Sequence, residues 1–304
     1  MIQKATFEDK EKVYRLWKNA FSFDDGGSID YYFESIFREE NCYVIKNKEG
    51  VISTLCFNKH SLFLHGKRIK TSLICGVATT HNYRHQGYMD RLMREVLEEL
   101  EHQELITLIQ AYSPELYLKY GFEMVYYRKK YHLFAHQVTR CSLKGIEMDF
   151  SDEELVLLYN KFMSLFTGYY IRNELYYKNL RRELYAESGR MVGYRNEDGL
   201  LEGYMIYYIE NNEIKIEEIQ YLNSLAFIKL LNYCLDLKEE IIVYVSENEL
   251  IELMVENYAP EQIGYMMARV NDYELFQQLY GEKVQNVKEA FDISGRPLFI
   301  REDW

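Results

Sequence analysis

Apolar and polar positions along the chain follow two rhythms, period 2 and period 3.6, and the order in which they appear is repeated once. IQKAT reads as a short strand. Thr6 is placed to cap the helix that follows, on which Val13, Leu16, Trp17 and Ala20 recur at helical spacing. FDDGGS breaks that helix, and Ser28 is placed to cap a second one through IDYYFESIF. Three strands come next, CYVIK, VISTLCFNKHSLFLH and KRIKTSLICGVAT, joined by the turns NKEG and HGK. The middle one is long for a strand, so a bend or bulge is expected near Asn58 to His60.

A polar turn containing Gly87 then opens a helix over 88–100, with Tyr88, Met89, Leu92, Met93, Val96, Leu97 and Leu100 on one face. LITLIQA reads as a buried strand. SPELYLKY reads as a short helix with Pro114 in its first turn and Gly121 as its terminator, and FEMVYYRKKYHLF as a closing strand. After a crossing segment at 136–150, SDEELVLLYNKFMSLF opens a second unit with a Ser cap and an acidic first turn. Its helices and strands repeat the layout of the first with almost no residue identity. The expected fold is therefore α/β (α+β), two tandem units, each a mixed central sheet flanked by helices. The expected boundaries are 1–140, 141–280 and a tail at 281–304, which is too short for another domain.

Composition narrows the function. A chain of 304 residues, 48 % hydrophobic and 15 % aromatic, with 29 Tyr and 16 Phe, fills two sizeable cores. So aromatic a surface is compatible with a homo-oligomer. A net charge of −12 argues against nucleic acid as a partner, because phosphate binding needs clustered cations, and is compatible with a cationic substrate. The five cysteines are scattered without a CxxC pair, which points to reduced core thiols. The seven histidines show no ligand spacing, so no metal is expected. The first residues lack an apolar signal segment and no run approaches a membrane span, so the chain is expected to be cytoplasmic, without a membrane partner.

The chemistry concentrates at LICGVATTHNYRHQGYMDRLM. A helix start offers unpaired N–H groups and about half a positive charge, and a glycine there lets an anion approach the backbone. Arg84 adds a cation, which favours a pyrophosphate over a carboxylate. The dinucleotide fingerprint GxGxxG and the phosphate loop GxxxxGK[ST] are both absent. In the second unit EIQYLNSLAFIKLL stands at the corresponding place without a glycine turn, so the chemistry is expected in the first unit.

RHQGYM after CGVATTHNY, with SPELYLKYGFE about thirty residues on, resembles motifs A and B of the GNAT acetyltransferase superfamily. Met89 departs from the Gly or Ala usual at the end of the Arg/Gln-x-x-Gly-x-Gly/Ala loop. With the YxxYGF ending and a degenerate second unit, the chain is similar to the Eis-type (enhanced intracellular survival) N-acetyltransferases. Their sterol-carrier-protein-like third domain is expected to be missing or reduced to the tail. The resemblance spans residues 1 to about 280, with specific motifs only at 73–122.

This resemblance implies acetyl-CoA as cosubstrate and an amine as acceptor, a small molecule or a peptide. It implies that Val77, Ala78 and Thr79 line the pantetheine arm, and that Arg84, His85, Gln86, Gly87, Tyr88 and Met89 cradle the pyrophosphate. Tyr117 falls at the family's tyrosine general acid. A phenol, with a reference pKa of about 10, is well matched to a thiol at about 8.5. Eis-type enzymes bring a C-terminal carboxylate into the site, which makes that of Trp304 a candidate base beside a water, Glu115 or Glu123. From the residues alone, Asp24 and Asp25 are expected to attract an amine and Tyr31, with Phe23 and Tyr32, to pack on it, although the same Asp residues also suit a solvated turn. Two rivals stay open: transfer of a long acyl or aminoacyl group, and a non-catalytic module that binds coenzyme A or another protein.

Overall fold

Each segment predicted as a strand finds a neighbour that covers its backbone, and the sheets follow from that pairing. The computed structural model describes residues 2–22, 26–48, 50–256 and 259–302. Along the chain lie β1 (Ile2–Lys4), α1 (Lys10–Ala20), α2 (Ser28–Tyr31), β2 (Cys42–Asn47), β3 (Gly50–Leu64) and β4 (Lys67–Thr79). They are followed by α3 (Tyr88–Glu101), β5 (Ile106–Ile109), β6 (Glu123–Phe134), β7 (Ile146–Glu147), α4 (Asp152–Met163), β8 (Tyr169–Tyr170) and α5 (Glu174–Ala186). The remainder comprises β9 (Arg190–Arg195), β10 (Leu201–Glu210), β11 (Glu213–Tyr221), α6 (Ser224–Leu237), β12 (Glu240–Ser246), β13 (Glu261–Val270), α7 (Tyr273–Tyr280) and α8 (Val287–Asp292).

Two compact units form, and neither is one continuous segment. Within the described residues, the first spans 2–125, 265–295 and 300–302, and the second spans 126–264 and 296–299. In the first, β1, β2, β3 and β4 form antiparallel neighbours in chain order, and β5 lies parallel to β4. The strand beyond β5 is β13, antiparallel from Val270↔Ile106 to Met267↔Ile109. In the second unit β7, β9, β10 and β11 are antiparallel in that order, β12 lies parallel to β11, and β6 is antiparallel to β12. The strand FEMVYYRKKYHLF thus forms, but from Tyr126 onward it completes the second sheet, while Tyr265–Val270 completes the first.

Alternation along β2 and β3 gives the first sheet two apolar faces. Tyr43, Ile45, Leu55 and Phe57 face the stripe Leu92, Met93, Val96, Leu97 and Leu100 of α3. Cys42, Val44 and Cys56 face Val13 and Trp17 of α1. A free thiol in such a place behaves as a small apolar group, and all five cysteines are free. No helix among the described residues is long and apolar enough to cross a membrane.

Three local expectations change. Asn58 to His60 pair regularly with Leu73 to Thr71, and the irregularity lies between Thr54 and Cys56. Ser28 is the first residue of α2 rather than its cap; the cap position is Gly27, at φ 110°. SPELYLKY forms two 3-10 turns, Pro114–Leu116 and Leu118–Tyr120, and Gly121 ends them at φ 83°.

Candidate active site

The site is laid out by a strand that outgrows its neighbour. The parallel ladder between β4 and β5 runs from Thr71↔Ile106 to Ile74↔Ile109 and stops, while β4 continues to Thr79 paired only with β3. Along Cys75–Thr79 the edge facing β5 has no ladder partner among the described residues. At the vertex β4 carries a bulge. Thr54 pairs with Ala78 and Cys56 with Cys75, so Gly76 and Val77 together oppose Leu55. Gly76 takes φ 56°, the left-handed conformation of a glycine bulge. The bulge also breaks side-chain alternation. Ile74 and Val77 pack toward α3, whereas Cys75 and position 76 face α1. A methyl group on Gly76 would overlap the indole of Trp17, so only glycine fits beneath that ring.

From Thr79 the chain turns through residues 80–87 into α3. Arg84, His85, Gln86 and Gly87 are exposed. Arg84 Nε donates to the Thr79 carbonyl at 3.1 Å, which holds the guanidinium beside the strand end, and Gln86 Nε2 donates to the Asn82 carbonyl at 3.1 Å. His85 and Gly87 both lie in the left-handed region, at φ 60° and 78°. No side chain caps α3, whose first internal bond runs from Arg91 N–H to the Gly87 carbonyl. The N–H groups of Tyr88, Met89 and Asp90 therefore have no intrahelical acceptor. A side chain at 87 would meet nothing within 4 Å, so the glycine faces open space. Tyr88 and Met89 turn their side chains back against the α3 core. The departure of Met89 from a small residue thus leaves the helix start clear.

Helices α1 and α2 also start without a side-chain cap, but the five helices from α4 to α8 handle their starts differently. Ser151, Asn173, Asn223, Asp272 and Asn286 each accept a first-turn N–H of α4, α5, α6, α7 and α8. A cap of that kind removes the orphan donors an anion would need. The contrast is clearest at α6, which follows β11 as α3 follows β4. There Asn223 Oδ1 accepts from Ala226 N–H at 2.9 Å, and its Nδ2 donates to Glu202 at 2.8 Å. The β11–β12 ladder also stops early, at Ile216↔Val243, but the strand beyond it is occupied by the protein's own polar groups. Arg128 donates to Glu217 at 3.1 Å and to its carbonyl at 2.6 Å. Arg172 grips Glu218 through two bonds of 2.7 and 3.1 Å, both residues being buried.

Tyr117 sits between the two 3-10 turns and is buried in the α3-side core, edge-on to Phe122 with ring centres 6.3 Å apart. Its hydroxyl has no hydrogen-bond partner among the described residues. Burial, with the neighbouring Tyr120, pushes its pKa up to about 12. Two charges that the motifs do not announce hold this turn to α3: Tyr120 donates to Asp90 at 2.8 Å and Lys119 at 2.7 Å.

The acceptor-side expectations fare unevenly. Tyr31 is buried within α2, and Tyr32 is buried with its ring stacked on Trp17 at 4.7 Å. Phe23, Asp24, Asp25 and Trp304 lie outside the described residues. Of the two candidate bases near motif B, Glu115 is exposed, and Glu123 accepts the backbone N–H of Val287 at 3.3 Å. No group of three or more His, Cys, Asp or Glu among the described residues is arranged for a metal ion.

Comparison with known proteins identifies the family. Residues 1–125 and residues 168–270 each match a family described as Acetyltransferase (GNAT) domain. The chain belongs to the GNAT acetyltransferases and carries two such domains in tandem, an Eis-like arrangement. Among solved structures, a probable N-acyltransferase from Enterococcus faecalis is 21 % identical, with a TM-score of 0.73 over 89 % of this chain and 72 % of that one. Eis1 from Mycobacterium abscessus is 14 % identical, with a TM-score of 0.69 over 91 % and 75 %. The N-myristoyltransferase of Saccharomyces cerevisiae, solved with bound myristoyl-CoA, is 10 % identical, with a TM-score of 0.58 over 89 % and 82 %. No curated protein matches the chain.

Proposed function

We propose that the protein is an acetyl-CoA-dependent N-acetyltransferase of the cytoplasm, acting on a primary amine of a small molecule or peptide, with its chemistry in the first unit. The observation that carries this reading is the start of α3: uncapped, opened by Gly87 and continuous with the one-sided strand Cys75–Thr79. A pyrophosphate lies against the N–H groups of Tyr88, Met89 and Asp90, with Arg84, His85 and Gln86 around it. The pantetheine arm runs back along Thr79, Ala78 and Val77, whose free edge supplies the peptide groups it pairs with. Acetyl-CoA supplies the acetyl group as an activated thioester.

Backbone N–H at the bulge polarises the thioester carbonyl, and the fixed strand geometry brings the amine within attack distance. Tyr117 stays protonated throughout the neutral range and donates its hydroxyl toward the sulfur. With its pKa at about 12 against about 8.5 for a thiol, complete transfer in the resting site is uphill by about 5 kcal/mol. Tyr117 therefore acts first as a hydrogen-bond donor to the developing thiolate. It completes the transfer as the C–S bond breaks, and the proton that the acceptor's ammonium gives up passes through water back to the Tyr117 oxygen.

Calorimetric titration of acetyl-CoA into the wild-type protein and a Gly87→Glu variant tests the reading, followed by thiol release with a panel of amines. Micromolar binding that the variant loses, and release that depends on an amine, support it. A folded wild-type protein that binds no acetyl-CoA refutes it. Binding without thiol release for any amine leaves a non-catalytic coenzyme A module.

A further inference from the structure

We infer that Trp17 sets the length of acyl group the site accepts, restricting the donor to short chains. This rests on the coenzyme A reading above. With the pyrophosphate at Gly87, the arm travels from Thr79 toward Cys75 and delivers its acyl end at the vertex where β4 and β5 part. Toward α3 that vertex is closed by Ile74, Val77, Ile109 and Tyr117, all packed on the α3 core. The remaining way onward is over the bulge toward α1, and there stands the indole of Trp17.

The indole is fixed rather than merely present. Trp17 is 1 % exposed and occupies the space that a side chain at Gly76 would take. Tyr32 stacks on it at 4.7 Å, and Phe33 and Phe21 meet it edge-on at 5.2 and 5.9 Å. Tyr32 is held in turn by its hydroxyl, 3.3 Å from Asn58 Oδ1 and 3.5 Å from Cys75 Sγ. A wall built of interlocked rings has few alternative rotamers, so it excludes by shape. The indole carbons Cζ2, Cε2 and Cη2 stand over Gly76, and Trp17 Nε1 is buried without a hydrogen-bond partner among the described residues. Two carbons fit before this wall, and a longer chain has to displace it.

The test is calorimetric titration of coenzyme A, acetyl-CoA, butyryl-CoA and hexanoyl-CoA into wild type, Trp17→Leu and Trp17→Phe, each checked for folding by circular dichroism. In wild type, acetyl-CoA should bind within about 3-fold of coenzyme A and hexanoyl-CoA roughly 30-fold more weakly. Trp17→Leu should tighten hexanoyl-CoA by roughly 10-fold relative to acetyl-CoA, and the milder Trp17→Phe should favour butyryl-CoA selectively. Equal binding of acetyl-CoA and hexanoyl-CoA by wild type overturns the inference, as does a folded Trp17→Leu that gains nothing. The wild-type series decides even if neither variant folds. Failure of wild type to bind coenzyme A in any form removes the site itself, and is distinguishable from failure of the wall alone.

Discussion

Tyr120 donates its hydroxyl to Asp90 Oδ1 at 2.8 Å, and that bond ties the turn carrying Tyr117 to the first turn of α3. Arg94 and Lys119 share the same carboxylate at 2.9 and 2.7 Å. Arg94, then Lys119 and Tyr120, hold its pKa well below the usual carboxylate range. Two cations around one anion also keep an acidic residue from repelling a phosphate at the same helix start. In sequence these are two motifs; in the molecule they are one rigid piece.

If that joint positions Tyr117, Tyr120→Phe should separate binding from turnover. The variant loses one hydrogen bond to a charged group, about 1 to 3 kcal/mol. We expect kcat to fall about 10-fold with the calorimetric Kd for acetyl-CoA unchanged, since no proposed phosphate contact is touched. A parallel loss of affinity would show that the bond merely supports the fold of α3.

Tyr117 carries its own signature in pH. Because burial raises its pKa to about 12, the hydroxyl remains protonated well past pH 10. The rate should rise with pH as the acceptor amine loses its proton and then level off, with no alkaline fall below about pH 10. Tyr117→Phe should lower that plateau about 100-fold without moving the acid limb. A descending limb at pH 8 to 9 in wild type, absent in Tyr117→Phe, would mean that bound substrates lower the pKa of the phenol by several units.

The second unit yields a stability prediction with a functional control. Arg172 and Glu218 form a bidentate pair, each about 1 % exposed in its side chain, with Tyr159 and Tyr176 rings 4.6 Å from the guanidinium. Glu218→Ala leaves that cation buried without its carboxylate, which costs about 3 to 5 kcal/mol. Urea unfolding should show an early transition, while acetyl-CoA titrated into protein that is still folded should bind as in wild type. Loss of binding at full foldedness would place the coenzyme A site elsewhere than α3.

Much of this architecture is legible in the residues. The 88–100 stripe, the glycine turn and the alternating strands are local signals, each decided within one or two turns of chain. The bulge is not. The length of VISTLCFNKHSLFLH suggests a break at Asn58 to His60, yet those residues pair regularly, and Asn58 is satisfied by Tyr32 and Cys75. The irregularity belongs to the partner strand, where Gly76 yields to Trp17, and nothing near Gly76 in sequence reports that distant ring. The destination of FEMVYYRKKYHLF is hidden for the same reason. Its pattern says strand, but the choice of neighbour is a tertiary matter. The caps are half-visible: Ser151 and Asn223 can be read directly, whereas the meaning of an uncapped α3 emerges only beside its capped counterparts.

A last prediction concerns Glu104, which lies just before β5 at the paired end of the β4–β5 ladder, away from the vertex. Its carboxylate accepts Ser72 N–H at 2.9 Å, Ser72 Oγ–H at 2.8 Å and Thr107 Oγ1–H at 3.3 Å. Burial nevertheless pushes its pKa up to about 7, because three neutral donors do not replace water around a charge. The sign follows from linkage. The folded state holds this proton more tightly than the unfolded chain, whose Glu titrates at about 4.3. The stabilisation is therefore fully present below about pH 4 and is lost as pH rises through about 7, by up to ~3 kcal/mol for a shift of this size. Glu104→Gln mimics the protonated form, accepting from Ser72 N–H while its amide donates to the Ser72 hydroxyl. The variant should match wild type in Tm at or below about pH 4 and exceed it at pH 8 by several degrees. Equal melting of the two proteins at both pH values would mean that Glu104 titrates alike in the folded and the unfolded chain.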